Sequence, residues 1–267
     1  AAATFLASDA SSYVNGSDLA VEPLVGLGCR LIGWSRPGYL RTSIEVGRGF
    51  GDQADAAAAL LDALGVDTVV GYGISGGGPS AIEFASRHPA RTVGLVLDSA
   101  VSRRYAPEIS PVARAVFLSR HGTWLASIIA RRWPRPVVAD LVRQESTLDR
   151  AARRRVVDWI MADRRRRSVV RDLVDSLTPF EDRAAGLGND LEQLAVPGEA
   201  GGVACPTLVL HGSNDGDVDP AHARHAAATI PGARLHLVPD GWHLLSLSLD
   251  GESALDATRE FLATLKR

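Results

Sequence analysis

Val69-Val70-Gly71-Tyr72-Gly73-Ile74-Ser75-Gly76-Gly77-Gly78-Pro79-Ser80 is the stretch from which the rest of the chain can be read. Its approach, Thr68 to Gly71, is apolar and β-branched, as a buried strand requires. Beyond it, Ala81, Phe84 and Ala85 recur at helical spacing. Between strand and helix lies Gly73-x-Ser75-x-Gly77. A strand that turns at once into a helix strains the residue at the apex, and glycines on either side let strand and helix approach. The serine hydroxyl then stands at the carboxyl edge of a sheet, over a helix N-terminus, where amides and dipole favour developing negative charge. With 26 glycines in the chain, the same letters also describe a plain small-residue turn. The strand before and the helix after favour the nucleophile reading.

Outward from this turn, strands and helices alternate. Thr4 to Ala7 reads as a short strand, Asn15-Gly16 as a turn, Leu19 to Leu27 as a helix and Arg30 to Gly33 as a strand. Asp52 to Leu64 is an alanine-rich helix stopped by Gly65, and Gly94 to Leu97 is a further strand. This alternation implies a mostly parallel sheet. From about Val101 to Gly202 the strand signals vanish. Trp124, Leu125, Ile128 and Ile129 form one helical stripe; Val156, Val157, Ile160 and Met161 a second; Val169, Val170, Leu173, Val174 and Leu177 a third. Pro134, Pro136 and Pro179 are expected to break these helices. The alternation resumes with the strand Pro206–Leu210, a helix over Ala221–Thr229, the strand Arg234–Val238 and a closing helix, Ser253–Leu265. The expected organisation is a core over 1–100, with an atypical 1–21, a helical cap over 101–202 and the rest of the core over 203–267.

Composition sets outer bounds. A chain of 267 residues, 46% hydrophobic and 22% charged, can bury one sizeable α/β core. The net charge of −2 gives no global signal for nucleic acid. From Arg103 to Arg183 there are 18 arginines against 10 acidic residues, including Arg153-Arg154-Arg155 and Arg164-Arg165-Arg166-Arg167. No aromatic platform is interleaved with these runs, so they read as solvated helix faces and no nucleic-acid partner is expected. Cys29 and Cys205 lie in no metal-binding spacing, and each is expected as a buried free thiol. No run is apolar enough to span a bilayer, and Ala1–Ala7 has no basic leader, so neither membrane nor secretion is expected and a cytoplasmic location is.

Three features stand in one order: Gly-x-Ser-x-Gly at Ser75, an acidic loop after a late strand at Asp215, and Gly241-Trp242-His243 after the last strand. Serine, acid, histidine in that order resembles the α/β-hydrolase family over roughly Leu24 to Arg267. Trp34-Ser35-Arg36-Pro37-Gly38-Tyr39 resembles the family's loop after its fourth strand, and His211-Gly212-x-x-Asp215-x-x-Val218 its acid-bearing loop. The helical segment stands where the family carries its cap. The resemblance implies a serine hydrolase. Ser75 would be the nucleophile, His243 the base that takes its proton, and Asp215 the acid that orients the imidazole. Asp98, after the strand that follows the elbow, is the second place where some members keep the acid. Asp217 is a near competitor, and Asp219 is expected to cap the helix starting at Pro220. His211 reads as a structural loop residue, and His88, His121, His222 and His225 as surface or cap-packing residues.

The N-terminal end departs from the family pattern. Members usually begin with two further strands, then a third ending in His-Gly whose loop supplies an oxyanion amide. Here that third strand falls near Thr4–Ala7, without His-Gly. The expected sheet therefore lacks the first two strands and has about six. Residues 5–21 resemble the C-terminal segment of short-chain dehydrogenases, as a fused or truncated gene would, but with neither a nucleotide-binding glycine motif nor Tyr-x-x-x-Lys no NAD chemistry follows. The oxyanion donors are expected to be the amide of Gly76 and one near Tyr13 or Val14. The Arg30–Gly33 strand becomes a sheet edge, where a second copy is expected to pair and form a homodimer.

The reading is a hydrolase of small carboxylic esters that needs no cofactor or metal. Lactonase, perhydrolase, carbon–carbon hydrolase and peptidase chemistry use the same constellation, and a ligand-binding protein with little turnover is the alternative of another class. Ser75 at the elbow, where Asp would otherwise stand, disfavours dehalogenase and epoxide hydrolase chemistry.

Overall fold

Six strands form one parallel sheet in the order β2-β1-β3-β4-β5-β6: β1 (Ala3–Ser8), β2 (Arg30–Gly33), β3 (Val69–Ile74), β4 (Thr92–Asp98), β5 (Thr207–Gly212) and β6 (Arg234–Val238). A computed structural model describes residues 3–8, 30–106, 119–196 and 201–265. The expected helix Leu19–Leu27, most of the dehydrogenase-like segment, and Tyr13, Val14 and Cys29 lie outside these residues. Among the described residues β2 is an edge strand, and β1 lies between β2 and β3.

Strand alternation feeds two apolar layers. Leu95, Leu97 and Val209 face α1 (Phe50–Ala63), α2 (Gly78–Arg87) and α8 (Ala221–Thr229), through Ala54, Leu61, Ala81, Phe84 and Ala226. Their neighbours Val96, Leu208 and Leu210 turn the other way, towards Phe261 and Leu262 of α9 (Gly251–Leu265). Buried on both faces, β3, β4 and β5 read as continuous apolar runs.

Five helices lie between β4 and β5 among the described residues: α3 (Arg120–Arg132), α4 (Pro134–Gln144), α5 (Arg150–Ala162), α6 (Arg164–Ser176) and α7 (Glu181–Leu194). Side-chain caps start three of them: Ser119 accepts from the Gly122 amide at 3.1 Å, Asp149 from Ala152 at 2.7 Å and Asp163 from Arg166 at 2.9 Å. Pro134 opens α4, and Pro136 sits within its first turn, where a missing amide costs little, so Pro136 does not break the helix. The second and third apolar stripes are mostly buried. The first is reversed: Trp124, Leu125 and Ile128 are exposed, and α3 packs through Thr123, Ala126, Ser127 and Ala130. Small side chains let α3 approach its neighbours closely, with Ala126 and Ala130 against Val174. In the arginine run 164–167, Arg166 and Arg167 turn back onto the carbonyls of Trp159 and Met161 at the end of α5. Cys205 is half-buried rather than fully buried. Among the described residues no helix is long and apolar enough to cross a membrane.

Two of the connections that tie this helical segment to the sheet and its loops are buried side-chain clusters. Arg36, fully buried in the loop after β2, places both terminal nitrogens on Asp190 of α7 at 2.9 and 2.5 Å. Tyr39 donates its hydroxyl to the same carboxylate at 2.5 Å. Arg36 also reaches Gln53, which accepts from Ser80 of α2 at 2.7 Å. The second connection runs through Trp242, whose fully buried ring lies in the apolar cluster formed by Val138, Val142, Val156 and Ile160.

Candidate active site

β3 runs without a gap into Ser75, and helical turns begin at once. Ser75 takes φ +50°, the left-handed region that side chains avoid. The close approach that makes this possible is set at Gly73, where a Cβ would lie 2.8 Å from the Cβ of Ala81. Gly76 follows Ser75 and is buried.

His243 lies in the loop after β6. Its Nε2 is 3.0 Å from Ser75 Oγ, and its Nδ1 is 2.9 Å from Asp215 Oδ2. The structure thus brings together Ser75, His243 and Asp215. Its backbone is held at two points: Ser99 donates its hydroxyl to the His243 carbonyl at 2.9 Å, and the His243 amide donates to the Glu145 carbonyl at 3.4 Å.

Asp215 is fixed from several sides. Oδ1 accepts from the amides of Asp217 and Val218, both at 2.9 Å, while Oδ2 faces His243 and lies 3.2 Å from His211 Nε2. His211, fully buried on β5 itself, donates to the Val218 carbonyl at 2.8 Å, which orders the acid loop. Burial works against charge on Asp215, but His243 and His211 outweigh it and bring its pKa down to about 2. Burial likewise opposes charge on His243, and the carboxylates of Asp215, Asp217 and Glu145 overcome it, holding the imidazolium well above the usual histidine range.

The alternative acid, Asp98, faces elsewhere: its Oδ2 accepts the Tyr72 hydroxyl at 2.9 Å. Burial raises its pKa. Asp219 accepts from the Ala221 amide at 2.7 Å, at the start of α8. His222 is not at the surface but packs against the start of the helical segment, its ring edge-on to Tyr105. It is buried beneath the segment after β4, where its Nδ1 accepts from the Ser102 amide at 3.2 Å.

Two residues packed against the acid loop escape a sequence reading. Glu145 lies between α4 and α5, and Tyr105 follows β4. Burial, then the nearby charge of Asp217, pushes the Glu145 carboxyl up to about 8. Glu145, Asp217 and His243 each bring a donor atom within 4.8 Å of the others. With Nε2 already engaged by Ser75, we read the group as carboxylates acting on a ring, not as a ligand set. The Glu145 carbonyl also accepts from the Gly216 amide at 3.0 Å, and Ser146 forms an antiparallel bridge with Asp215. Nothing in the local sequence of Glu145 marks this contact, since its partners lie some 70 or more positions further along.

A strained serine between a parallel strand and a helix, with an acid and a histidine at successive strand ends, defines a class: the chain belongs to the alpha/beta hydrolase fold family, whose model matches residues 10–248. Among individual relatives it is 32% identical over 232 residues to the uncharacterized hydrolase YcgS of Bacillus subtilis, covering 84% of this chain and 78% of the relative. It is also similar to a solved alpha/beta hydrolase fold protein from Nakamurella multipartita, with 31% identity, a TM-score of 0.89, and 98% and 92% of the two chains covered. A thermophilic esterase from Thermogutta terrifontis shares the fold at 23% identity, with a TM-score of 0.64 and coverage of 99% and 90%.

Proposed function

We propose that the protein is a serine hydrolase that cleaves small carboxylic esters through an acyl-enzyme intermediate. The supporting observation is the relay Ser75 Oγ–His243 Nε2–Asp215 Oδ2, at 3.0 and 2.9 Å, built on a serine at positive φ. His243 Nε2 takes the Ser75 proton as Oγ attacks the ester carbonyl carbon. The oxyanion forms beside the Gly76 amide. A second donor is proposed from the segment around Tyr13 and Val14; losing one such donor costs on the order of 10²–10³ in turnover. The imidazolium gives its proton to the leaving alcohol. Water, deprotonated by the same nitrogen, then attacks the acyl carbon and restores Ser75. Asp215 stays ionised throughout and keeps the Nδ1–H tautomer.

Labelling by a fluorophosphonate together with p-nitrophenyl ester turnover tests this. Both are expected in the wild type and both lost in Ser75→Ala. A protein that neither labels nor turns over any acyl chain length, but binds an acyl ligand tightly, would be a receptor on a hydrolase fold.

A further inference from the structure

The loop that supplies Asp215 carries a second acid facing the same ring. Asp217 Oδ2 lies 3.5 Å from His243 Nε2, on the side opposite the Asp215 contact. Its other oxygen accepts the Tyr105 hydroxyl at 2.7 Å, and its amide donates to Asp215 Oδ1 at 2.9 Å. The turn that locks Asp215 therefore also fixes Asp217. Gly216 between them cannot be larger, because a Cβ would lie 2.8 Å from the Ser146 backbone. Among the described residues His243 is the one cationic partner within ion-pair reach of Asp217.

We propose that Asp217 is a positioning residue for the base: its carboxylate holds the Nε2 side of the His243 imidazolium as Asp215 holds the Nδ1 side, so that one loop grips both ring nitrogens. This rests on His243 acting as the base. When Nε2 carries the proton taken from Ser75 as its Oγ attacks, the ion has a partner at each end. The gain is a more stable imidazolium in the transition state. The cost is that His243 keeps its proton to higher pH, and a protonated Nε2 cannot accept from Ser75. The acid limb of kcat/KM therefore lies higher than Asp215 alone would set it. The other titratable groups around the ring are Asp215 and His211 on β5 and its loop, Glu145 between α4 and α5, Asp98 at the end of β4 and Tyr105 beyond it.

Asp217→Asn removes the charge and keeps an acceptor for Tyr105. The His243 titration is followed by NMR in a Ser75→Ala background, and the acid limb of kcat/KM in the protein with Ser75 intact. Both are expected to fall by about one pH unit or more, as for loss of an opposite charge at this distance. Asp217→Glu restores the charge and is expected to return most of the shift. Asp219→Asn, a charge removed from the same loop but facing α8, is expected to leave the titration in place. An Asp217→Asn protein whose His243 titrates as in the parent would overturn the proposal, even with a lowered plateau, since a merely structural role lowers the plateau alone. A shifted titration without ester turnover at any pH would sink the ester reading and leave Asp217 in this role.

Discussion

Replacing Asp215 by Asn tests the relay where its polarity is set. The change is nearly isosteric, and the surroundings dictate how the new amide must lie. Two backbone amides, of Asp217 and Val218, point at Oδ1, so the Asn oxygen must stay there. The NH₂ group then faces His243 Nδ1, 2.9 Å away, and also His211 Nε2, which already donates to Val218. A donor facing Nδ1 forces His243 into the other tautomer, with its proton on Nε2, directed at Ser75 Oγ. The nitrogen that should accept the serine proton is then blocked. Loss of the correct tautomer in such a relay costs about 10⁴ in kcat, or about 5.5 kcal/mol of barrier. KM should change little, because Asp215 is buried and bears on the reaction only through the His243 ring. The assay is p-nitrophenyl ester turnover at several pH values, with circular dichroism to confirm folding. A folded Asp215→Asn protein that keeps a tenth or more of wild-type kcat would refute the tautomer argument.

Two further predictions concern stability. Asp190→Ala strands the fully buried Arg36 guanidinium without its carboxylate, so it should cost about 3–5 kcal/mol in denaturant unfolding, whereas the joint change Arg36→Met with Asp190→Leu should recover most of that loss. Burial, then the charges of Arg103 and His211, holds His222 down to about 4, so the folded state resists a proton that the unfolded chain takes up below about 6.5. Stability should therefore fall as pH drops from 6.5 towards 4, by up to about 3 kcal/mol from this group. His222→Asn, which keeps an acceptor for the Ser102 amide, should flatten that part of the curve; an unchanged slope would contradict the assignment.

What could be read in advance was local or ordered along the chain. Gly73-x-Ser75 is legible because the strain and the close packing at Ala81 arise within nine residues. The strands are legible because burial on both faces leaves apolar runs. Asp215 and His243 are legible because parallel strands deliver successive loops to one edge. The reversed face of α3 was not, because periodicity shows that a stripe exists but not which way it points. There, the close approach of small side chains prevailed over the burial of large ones. Buried His222 and the inward Glu145 were hidden for another reason: each is defined by a partner on a distant element. The oxyanion assignment to Tyr13 and Val14 falls outside the described residues.

The antiparallel bridge between Ser146 and Asp215 bears on how this protein can be re-engineered. Thr147 donates its amide to the Asn214 carbonyl at 2.9 Å, and Asn214 donates in turn to Gly241 at 2.8 Å. Three loops from different parts of the chain are thus sewn edge to edge under the histidine. A chimaera that swaps the whole stretch between the fourth and fifth strands to import a new substrate preference would cut these stitches. Exchanging α3 and α6 while retaining 145–148 and α7, whose Asp190 holds Arg36, is the safer splice, because it leaves these bonds and the buried ion pair uncut.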